Sequence, residues 1–393
     1  MAGIYIHIPF CKSKCIYCGF YSKPLSLFSS PDSTSPLVKL TDAIKNEIEQ
    51  RKDFFKGNDS CGKDQIINTL YFGGGTPSLL SINELRTIQE SLYKNFHISP
   101  DAEFTIEVNP DDITPLYAKG LREIGVNRIS MGVQSFTDEH LKWMRRRHSA
   151  SQSVDAFNIL REAGFLNISI DLIFGFSSLS MELLDRNLEE LKNLRPEHVS
   201  TYQLSVDAGS VLEKLSQSDK TFLLADEDCA AQYTLIQRQL EEFGYHQYEV
   251  SNFARDGFFS RHNSAYWDRT PYLGLGPGAH SFSGTYREWN DEDIEKYCAL
   301  GKSDNSLTRE VLTPKDIFTE TLMLGLRLCS GVSVAKLHCC AGDAEIDWKI
   351  FEHSMLKQIK AGNIVKYGNE DIHIKIPQNK LFVSDSIILS LLP

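Results

Sequence analysis

Short apolar runs alternate with longer amphipathic segments along the first half of the chain, from residue 4 to about residue 205. This alternation is typical of repeated βα units, in which buried parallel strands are connected by helices that cover the sheet. Such units connect with right-handed crossovers, and six of them can curl into an open, partial barrel. We expect the six strands at IYIHI (4–8), INTLYF (67–72), EFTIEV (103–108), VNRISM (126–131), LNISIDLIF (166–174) and HVSTYQLSV (198–206).

Capping residues mark several of the helices between these strands. Thr41 or Asp42 is expected to begin one helix, and Ser81 with Glu84 three residues later has the pattern of a capping box at the start of a second. Gly164 is expected to end a third helix. Because the functional residues of βα folds gather where strands end and loops begin, the candidate site residues are expected at those positions.

The pattern changes after residue 210, and the sequence predicts three parts. Residues 1–235 form the βα core domain, and residues 236–300 form a connecting region that is aromatic and rich in glycine. Residues 301–393 form a mostly helical C-terminal domain, whose last segment (364–392) predicts a hairpin followed by a helix, as in a small winged-helix-like segment. The predicted fold class is α/β, a partial (β/α)6 barrel with this helical domain appended.

Composition and charge limit the partners of the chain. A hydrophobic fraction of 41% and a charged fraction of 24% are those of an ordinary globular protein. The formal net charge of -11 argues against nucleic-acid binding, because phosphate contacts need a basic face; RRRH (145–148) is the local exception. No apolar stretch approaches 18 residues, and a secretory signal pattern is missing, so we expect a cytoplasmic protein with no integral membrane segment. Peripheral attachment to a membrane through a partner stays open.

Cys11, Cys15 and Cys18 lie within eight positions, with the spacing CxxxCxxC. Thiolates this close together on a loop can converge on one centre, and thiolate is a preferred ligand of zinc and of iron–sulfur clusters. Structural zinc usually has four protein ligands in two pairs; the chain has no second pair, but His7 or His262 could supply a fourth ligand. A zinc-stabilised binding module therefore stays an alternative. On a four-iron cluster, three cysteines would leave one iron open to a cofactor or substrate.

Glycines and polar residues follow the successive predicted strands. GGGTP (73–77) comes directly after the second strand, and its glycines let the backbone approach a small polar ligand and offer N–H groups to it. Glu107 ends the third strand, where a carboxylate can accept hydrogen bonds from ammonium or hydroxyl groups. Gln134 follows the fourth strand and Asp171 lies in the fifth. Each alone fits an ordinary hydrogen-bonded residue, but together they indicate one site.

With these motifs, the sequence resembles the radical S-adenosylmethionine (SAM) superfamily, whose hallmark is CxxxCxxC. The resemblance implies that residues 1–235 form a radical SAM barrel, that the three cysteines hold a [4Fe-4S] cluster, and that SAM binds its open iron and is cleaved to a 5′-deoxyadenosyl radical. The cofactors supply this chemistry, and the protein positions them. The residues implied to contact SAM are Tyr5, Tyr17, Gly74, Gly75, Thr76, Glu107, Gln134, Arg146 and Asp171.

YIHIPF (5–10), EVNP (107–110) and GLGPGAHSF (274–282) narrow the resemblance to the branch that contains oxygen-independent coproporphyrinogen III oxidases and haem chaperones. The oxidases resemble CxxxCxxCxC with an N-terminal extension that helps to cover the active site. This chain has Phe20 in place of the last cysteine and only ten residues before Cys11. Both features favour the chaperones.

HNSAYW (262–267), in the predicted connecting region, is similar to the HNxxYW motif of the chaperones. Neutral imidazole is a natural axial ligand of haem iron, and Tyr266 and Trp267 could pack on the porphyrin or on the protein beneath it. The resemblance implies that His262 binds haem and that the protein delivers the haem to acceptor haemoproteins, respiratory proteins among them. Oxidative decarboxylation of coproporphyrinogen III in porphyrin biosynthesis is the alternative, so the sequence does not decide whether the chain is an enzyme. It also leaves open whether the chain is a monomer or a dimer.

Overall fold

The computed structural model describes residues 2–28, 34–57, 65–217, 221–299, 307–342 and 346–392. A twelve-stranded sheet dominates it, and strands occur at all six places that the sequence predicted. These six strands run parallel to one another and lie side by side in chain order. Labelled β1 to β6, they are Ala2–Ile8, Ile67–Gly74, Ile98–Val108, Arg128–Gln134, Ile168–Phe174 and His198–Gln203.

Side chains of the six strands alternate between an apolar outer face and a largely polar inner face, as the two-residue period of a strand requires. Strand β4 is an example: its outer residues are fully buried in the core, and its inner residues line a cavity. The outer set is Ile129, Met131 and Val133, and the inner set is Arg128, Ser130, Gly132 and Gln134. Residues from β2 to β6 line this one cavity, so the sheet curves around it as a partial barrel.

Fourteen helices, α1 to α14, are assigned within the described ranges, and none of them is both long and apolar enough to cross a membrane. In chain order they are Pro36–Gln50, Ile82–Asn95, Pro115–Glu123, Asp138–Trp143, Ala150–Glu162, Met181–Leu194, Val211–Ser216, Asp226–Glu242, Arg261–Trp267, Ile294–Ala299, Pro314–Arg327, Val334–Ala341, Trp348–Lys360 and Ser384–Leu389. Short 3₁₀ helices occupy Leu25–Phe28, Pro77–Leu79, Pro110–Asp112 and Gln378–Val383.

The capping signals had mixed outcomes. Ser81 and Glu84 form the expected capping box at the start of α2, and Gly164 follows the end of α5 with a φ of 89°. The expected start of α1 at Thr41 or Asp42 is wrong. The helix begins earlier, with Ser35 as its N-cap, because a proline in the first helical position has the right φ and needs no hydrogen-bond acceptor there.

Six further strands extend the parallel sheet at both ends. Five come from the predicted connecting region, which is therefore continuous with the core, and the sixth comes from the start of the predicted C-terminal domain. At one end, two short antiparallel strands lie beyond β6. At the other end, one strand pairs in parallel with β1, and three antiparallel strands follow it. In chain order these six strands are β7 (His246–Gln247), β8 (Asn252–Ala254), β9 (Tyr272–Leu275), β10 (His280–Phe282), β11 (Tyr286–Trp289) and β12 (Thr308–Val311).

A buried charge cluster ties α1 to this added part of the sheet. Arg51 hydrogen-bonds to the carboxylates of Glu47 and Glu288 and to the Gly274 carbonyl. Both glutamates are buried, each only 2% exposed. Glu47 also accepts hydrogen bonds from three other donors, which are the backbone N–H of Gly276, the amide of Asn290 and the hydroxyl of Tyr297.

The C-terminal part consists of helices α11 to α14 with a small three-stranded antiparallel sheet. Its strands are β13 (Val332–Ser333), β14 (Val365–Tyr367) and β15 (His373–Lys375). Strands β14 and β15 form the predicted hairpin, and α14 follows them, as in the winged-helix-like ending that the sequence predicted.

Candidate functional site

The loop that carries the three cysteines leaves the end of β1 and is held at both of its ends. Residues Phe10–Cys11 pair in parallel with Lys23–Pro24, and the ring Nε2 of His7 hydrogen-bonds to the Tyr21 carbonyl at 2.8 Å. Cys11, Cys15 and Cys18 are free, half-buried thiols. All three line the barrel cavity, whose volume is about 390 Å³.

Side chains from the barrel strands and loops contact two of these sulfurs. The Thr76 hydroxyl lies 3.5 Å from the Sγ of Cys11, and the guanidinium Nη1 of Arg146 lies 3.4 Å from the Sγ of Cys15. Arg146 also donates through Nη2 to the Asn109 side chain and to the Gly132 carbonyl, both at 2.6 Å. These contacts fix the cysteine loop against the carboxyl ends of β3 and β4.

Three of the four residues in RRRH, the basic exception in an acidic chain, make contacts within the protein, whereas Arg145 is exposed. Arg146 contacts the cysteine loop, Arg147 forms ion pairs with Asp111 and Asp112, and His148 hydrogen-bonds to the Val133 carbonyl. These three side chains are therefore engaged inside the protein.

The glycines of GGGTP let the end of β2 approach the cysteine loop. A Cβ atom on Gly75 would lie 2.6 Å from the Phe10 carbonyl oxygen and 3.0 Å from the Sγ of Cys11. Gly74 has a φ of 111°, and a Cβ atom there would lie 2.7 Å from the ring of His7. Neither position has room for a side chain, so both glycines are required by the packing of the loop.

Two buried carboxylates form part of the cavity wall. Glu107 accepts a hydrogen bond from the Tyr71 hydroxyl at 2.8 Å and from the Gly74 backbone N–H at 3.2 Å. Burial raises the pKa of Glu107 to about 7, although both hydrogen bonds oppose this rise. Burial also raises the pKa of Asp171, although side-chain hydrogen bonds from Ser200 and Ser130 oppose this rise. Two acceptors in such a wall suit a ligand that carries ammonium or hydroxyl groups.

Arg128 lies at the amino end of β4 and lines the same cavity, although its side chain is almost fully buried. Its Nε and Nη1 atoms have no hydrogen-bond partner. Its positive charge lowers the pKa of Glu107 and of Asp171, and so opposes the effect of their burial. The sequence analysis did not select this residue, although a lone arginine inside the apolar run VNRISM was a usable signal. Other cavity residues that it did not select are Asn109, Ser200, Tyr202, Asp207 and Asn263.

Eight of the nine residues predicted to contact SAM line the cavity beside the thiols. Gln134 is one of them, and it has a φ of 70°, which is rare outside glycine, where the β4 register shifts. Tyr5 is the exception: it does not line the cavity, and its hydroxyl hydrogen-bonds to His7 Nδ1 at 2.9 Å. The three thiols and the close glycine backbone fit a [4Fe-4S] cluster, and the buried carboxylates of Glu107 and Asp171 fit the ammonium and hydroxyl groups of SAM.

Neither histidine considered as a fourth zinc ligand is free to act as one. Both ring nitrogens of His7 are engaged, one by the Tyr5 hydroxyl and one by the Tyr21 carbonyl. His262 is also engaged at both nitrogens, by the hydroxyls of Thr69 and Tyr266. Within the described ranges, no three His, Cys, Asp or Glu side chains are grouped so as to hold a single metal ion. The contacts of these two rings give the zinc alternative no support.

His262 lies in α9, behind the cavity wall and 2% exposed. Its Nδ1 is 2.8 Å from the Thr69 hydroxyl, and its Nε2 is 2.9 Å from the Tyr266 hydroxyl. The ring stacks on Tyr71 with a centroid separation of 4.9 Å. Burial lowers the pKa of His262 to about 3, so the ring is neutral. In this arrangement neither nitrogen is available to an iron atom, and the predicted haem ligation would require α9 to move.

A family model described as the Radical SAM superfamily matches residues 5–191. The heme chaperone HemW of Bacillus subtilis (strain 168) is 35% identical over 336 residues, which is 85% of each chain. The mitochondrial radical S-adenosyl methionine domain-containing protein 1 of Danio rerio is 30% identical, over all of this chain and 87% of its own length. The solved structure of coproporphyrinogen III oxidase (HemN) from Escherichia coli superimposes with a TM-score of 0.82 and covers 100% of this chain and 90% of that chain. At 22% identity, this last likeness shows the fold alone.

A partial barrel with three convergent thiols at its mouth and a polar interior defines a radical SAM protein. The length and identity of the match to the Bacillus relative go further, and the chain belongs to the HemW family within the radical SAM superfamily.

Proposed function

We propose that this protein is a haem chaperone, which holds a [4Fe-4S] cluster and SAM, binds haem and delivers it to acceptor haemoproteins. The observation that carries the proposal is the 35% identity to a relative named heme chaperone, over 85% of both chains. Phe20 supports it. This ring stands where the oxidases have a further cysteine, and it is 71% exposed beside the cavity.

Residues of the cavity have separate tasks in this proposal. Cys11, Cys15 and Cys18 would hold the cluster, and the bound cluster and SAM would supply one-electron chemistry. Arg146 contacts the Cys15 sulfur and would orient it, and Glu107, held by Tyr71, would accept hydrogen bonds from the ammonium or hydroxyl groups of the ligand.

Haem binding is the central claim and is tested directly. Anaerobically purified protein is mixed with haemin, the Soret spectrum is recorded, and haem is counted after desalting. The proposal expects retention of about one haem per chain by the wild type, and no retention would contradict it. His262→Ala, measured beside it, tests the predicted ligand. Equal retention in both proteins would remove His262 from the haem site and leave the chaperone proposal standing.

Coproporphyrinogen III oxidation is the second candidate, because the cavity keeps all three thiols and eight of the predicted SAM-contacting residues. The reconstituted protein is incubated anaerobically with coproporphyrinogen III, SAM and a reductant, and Cys15→Ala serves as the control. Decarboxylated product at catalytic turnover in the wild type, and none in the control, would favour the enzyme. Absence of product from both, together with haem retention, would favour the chaperone.

A cytoplasmic location and respiratory haemoproteins as acceptors belong to the same proposal. Mixing the haem-loaded protein with a candidate apo-haemoprotein and following the Soret band of the separated proteins would test transfer. Haem that stays with the first protein would remove that candidate.

A further inference from the structure

The HNxxYW helix packs against the back of the cavity wall, and its contacts lead to Glu107. Tyr71 stands between the two: one face of its ring stacks on His262, at an angle of 23°, and its hydroxyl donates to the Glu107 carboxylate. We propose that His262 is a positioning residue that orients Glu107 through Tyr71, and so supports SAM binding. The inference rests on the proposed binding of SAM in this cavity and is independent of haem binding.

Four contacts fix the His262 ring in place. Thr69 and Tyr266 hydrogen-bond to its two nitrogens, one on each edge of the ring. The backbone N–H of His262 donates to the Glu103 carboxylate at 2.9 Å, which anchors the first turn of α9 to β3. The fourth contact is the Tyr71 stack. The fixed His262 ring supports the face of Tyr71 while the Tyr71 hydroxyl donates to Glu107 at 2.8 Å.

Crowding makes this arrangement sensitive to small changes. A Cβ atom on Gly73 would lie 2.9 Å from the rings of both Tyr5 and Tyr71, and 3.1 Å from the Glu107 carboxylate. The tyrosine cannot move toward the cavity without displacing the carboxylate. Asn263, the next residue of the helix, itself lines the cavity. The helix therefore contributes to the SAM site directly and through Tyr71.

Ionisation of Glu107 gives a readout that a purely structural role would not change. Its pKa is about 7, and the Tyr71 hydrogen bond lowers it, so a displaced Tyr71 raises it further. The ionised carboxylate is the form that attracts a cationic ligand, so SAM affinity should increase as the pH rises through the pKa of Glu107. In a variant that displaces Tyr71, this increase should occur at a higher pH. The groups that face Glu107 from the surrounding elements are Tyr5, Tyr71, Arg128, Asp171, Tyr202 and Tyr266.

The experiment measures SAM affinity by equilibrium dialysis, on the full chain with its cluster reconstituted, between pH 6 and 8.5. His262→Ala and Tyr71→Phe should each weaken binding about tenfold at pH 7, which is the range for losing one hydrogen bond to a charged group. Both should move the rise in affinity to higher pH. The amino group of SAM titrates near pH 8 and is common to all variants. The double variant should bind no more weakly than the worse single variant, because both changes remove the same contact.

His198→Ala is the matched control. His198 is equally buried and also lies between a strand hydroxyl and a tyrosine hydroxyl, at 2.8 Å from each, but it has no contact with Tyr71. The His198→Ala variant should therefore have the SAM affinity of the wild type. Tyr266→Phe removes only one bond to His262 and keeps the packing, so it tests the proposal if His262→Ala does not fold. Its effect should be smaller and in the same direction.

Unchanged SAM affinity and pH profile in His262→Ala and Tyr266→Phe would overturn the inference, and so would additive losses in the double variant. Haem retention, measured on the same proteins, keeps the two proposals apart. A His262→Ala protein that loses haem but binds SAM normally would contradict the inference and favour haem ligation. A wild type that binds SAM but no haem would contradict only the chaperone proposal.

Discussion

Replacement of Gly75 by alanine should remove the cluster without unfolding the barrel. The new Cβ atom would lie 2.6 Å from the Phe10 carbonyl oxygen, whereas a normal non-bonded contact is about 3.5 Å. The loop must therefore give way by about 0.9 Å next to Cys11, whose sulfur would itself lie only 3.0 Å from the new atom. Metal–sulfur distances are held within about 0.2 Å, so a shift of this size is too large for ligation by Cys11.

The assay counts iron and sulfide per chain after anaerobic reconstitution, with about four irons expected for the wild type. Gly75→Ala should retain less than half of the wild-type iron. The control is Gly120→Ala, whose Cβ atom would lie 2.5 Å from the Ile82 side chain at the contact of α3 with α2, away from the thiols. That variant should be less stable but keep its iron. Full iron in Gly75→Ala, with normal SAM affinity, would refute the argument.

Three further changes test other parts of the structure. Arg51→Met removes the positive charge that pairs with the buried carboxylates of Glu47 and Glu288, and should lower the free energy of unfolding by about 3 to 5 kcal/mol. Urea titration measures this change, and a loss below about 1 kcal/mol would contradict a stabilising role for the buried charge cluster. Burial lowers the pKa of His198 well below 6.5, so only the unfolded chain protonates it as the pH falls from 7 to 5. This costs about 2 kcal/mol of stability, and His198→Gln should reduce the stability difference between these pH values by that amount; an unchanged difference would speak against a buried neutral ring. Arg146→Lys keeps the positive charge, but an ammonium group cannot reach all three acceptors that the guanidinium contacts, so SAM binding should weaken about tenfold in equilibrium dialysis. Wild-type affinity in this variant would show that the guanidinium geometry is dispensable.

Local patterns in the sequence were sufficient for the barrel and for much of its cavity. A strand that is apolar on one face has a two-residue period, so the six strands could be predicted from short stretches of sequence. Once the strand ends were known, the site residues at those ends could be predicted as well. The same period places Tyr5 on the inner face of β1, beside Tyr71 in the register. Its hydroxyl hydrogen-bonds to His7, and its contact with SAM stays a prediction.

Pairings between distant segments could not be predicted in this way. Nothing in the composition of Tyr272–Leu275 specifies β1 as its neighbour, because backbone hydrogen bonds are the same for any partner. The engagement of His262 by Thr69 depends on the same long-range packing. A motif alone could therefore suggest an iron ligand, although the ring is enclosed by hydroxyls and tyrosines.

The parallel pairing of β9 with β1 has a consequence for synthesis of the protein. Ile6 and its partner Leu275 are 269 positions apart (275 − 6). At about 5 to 20 residues per second, the ribosome needs roughly 13 to 54 s to make the intervening chain. During this time one edge of the strand that leads into the cysteine loop has no partner, although its other edge can already pair with β2. The nascent chain thus exposes an open strand edge beside its cysteine loop until most of it has been translated.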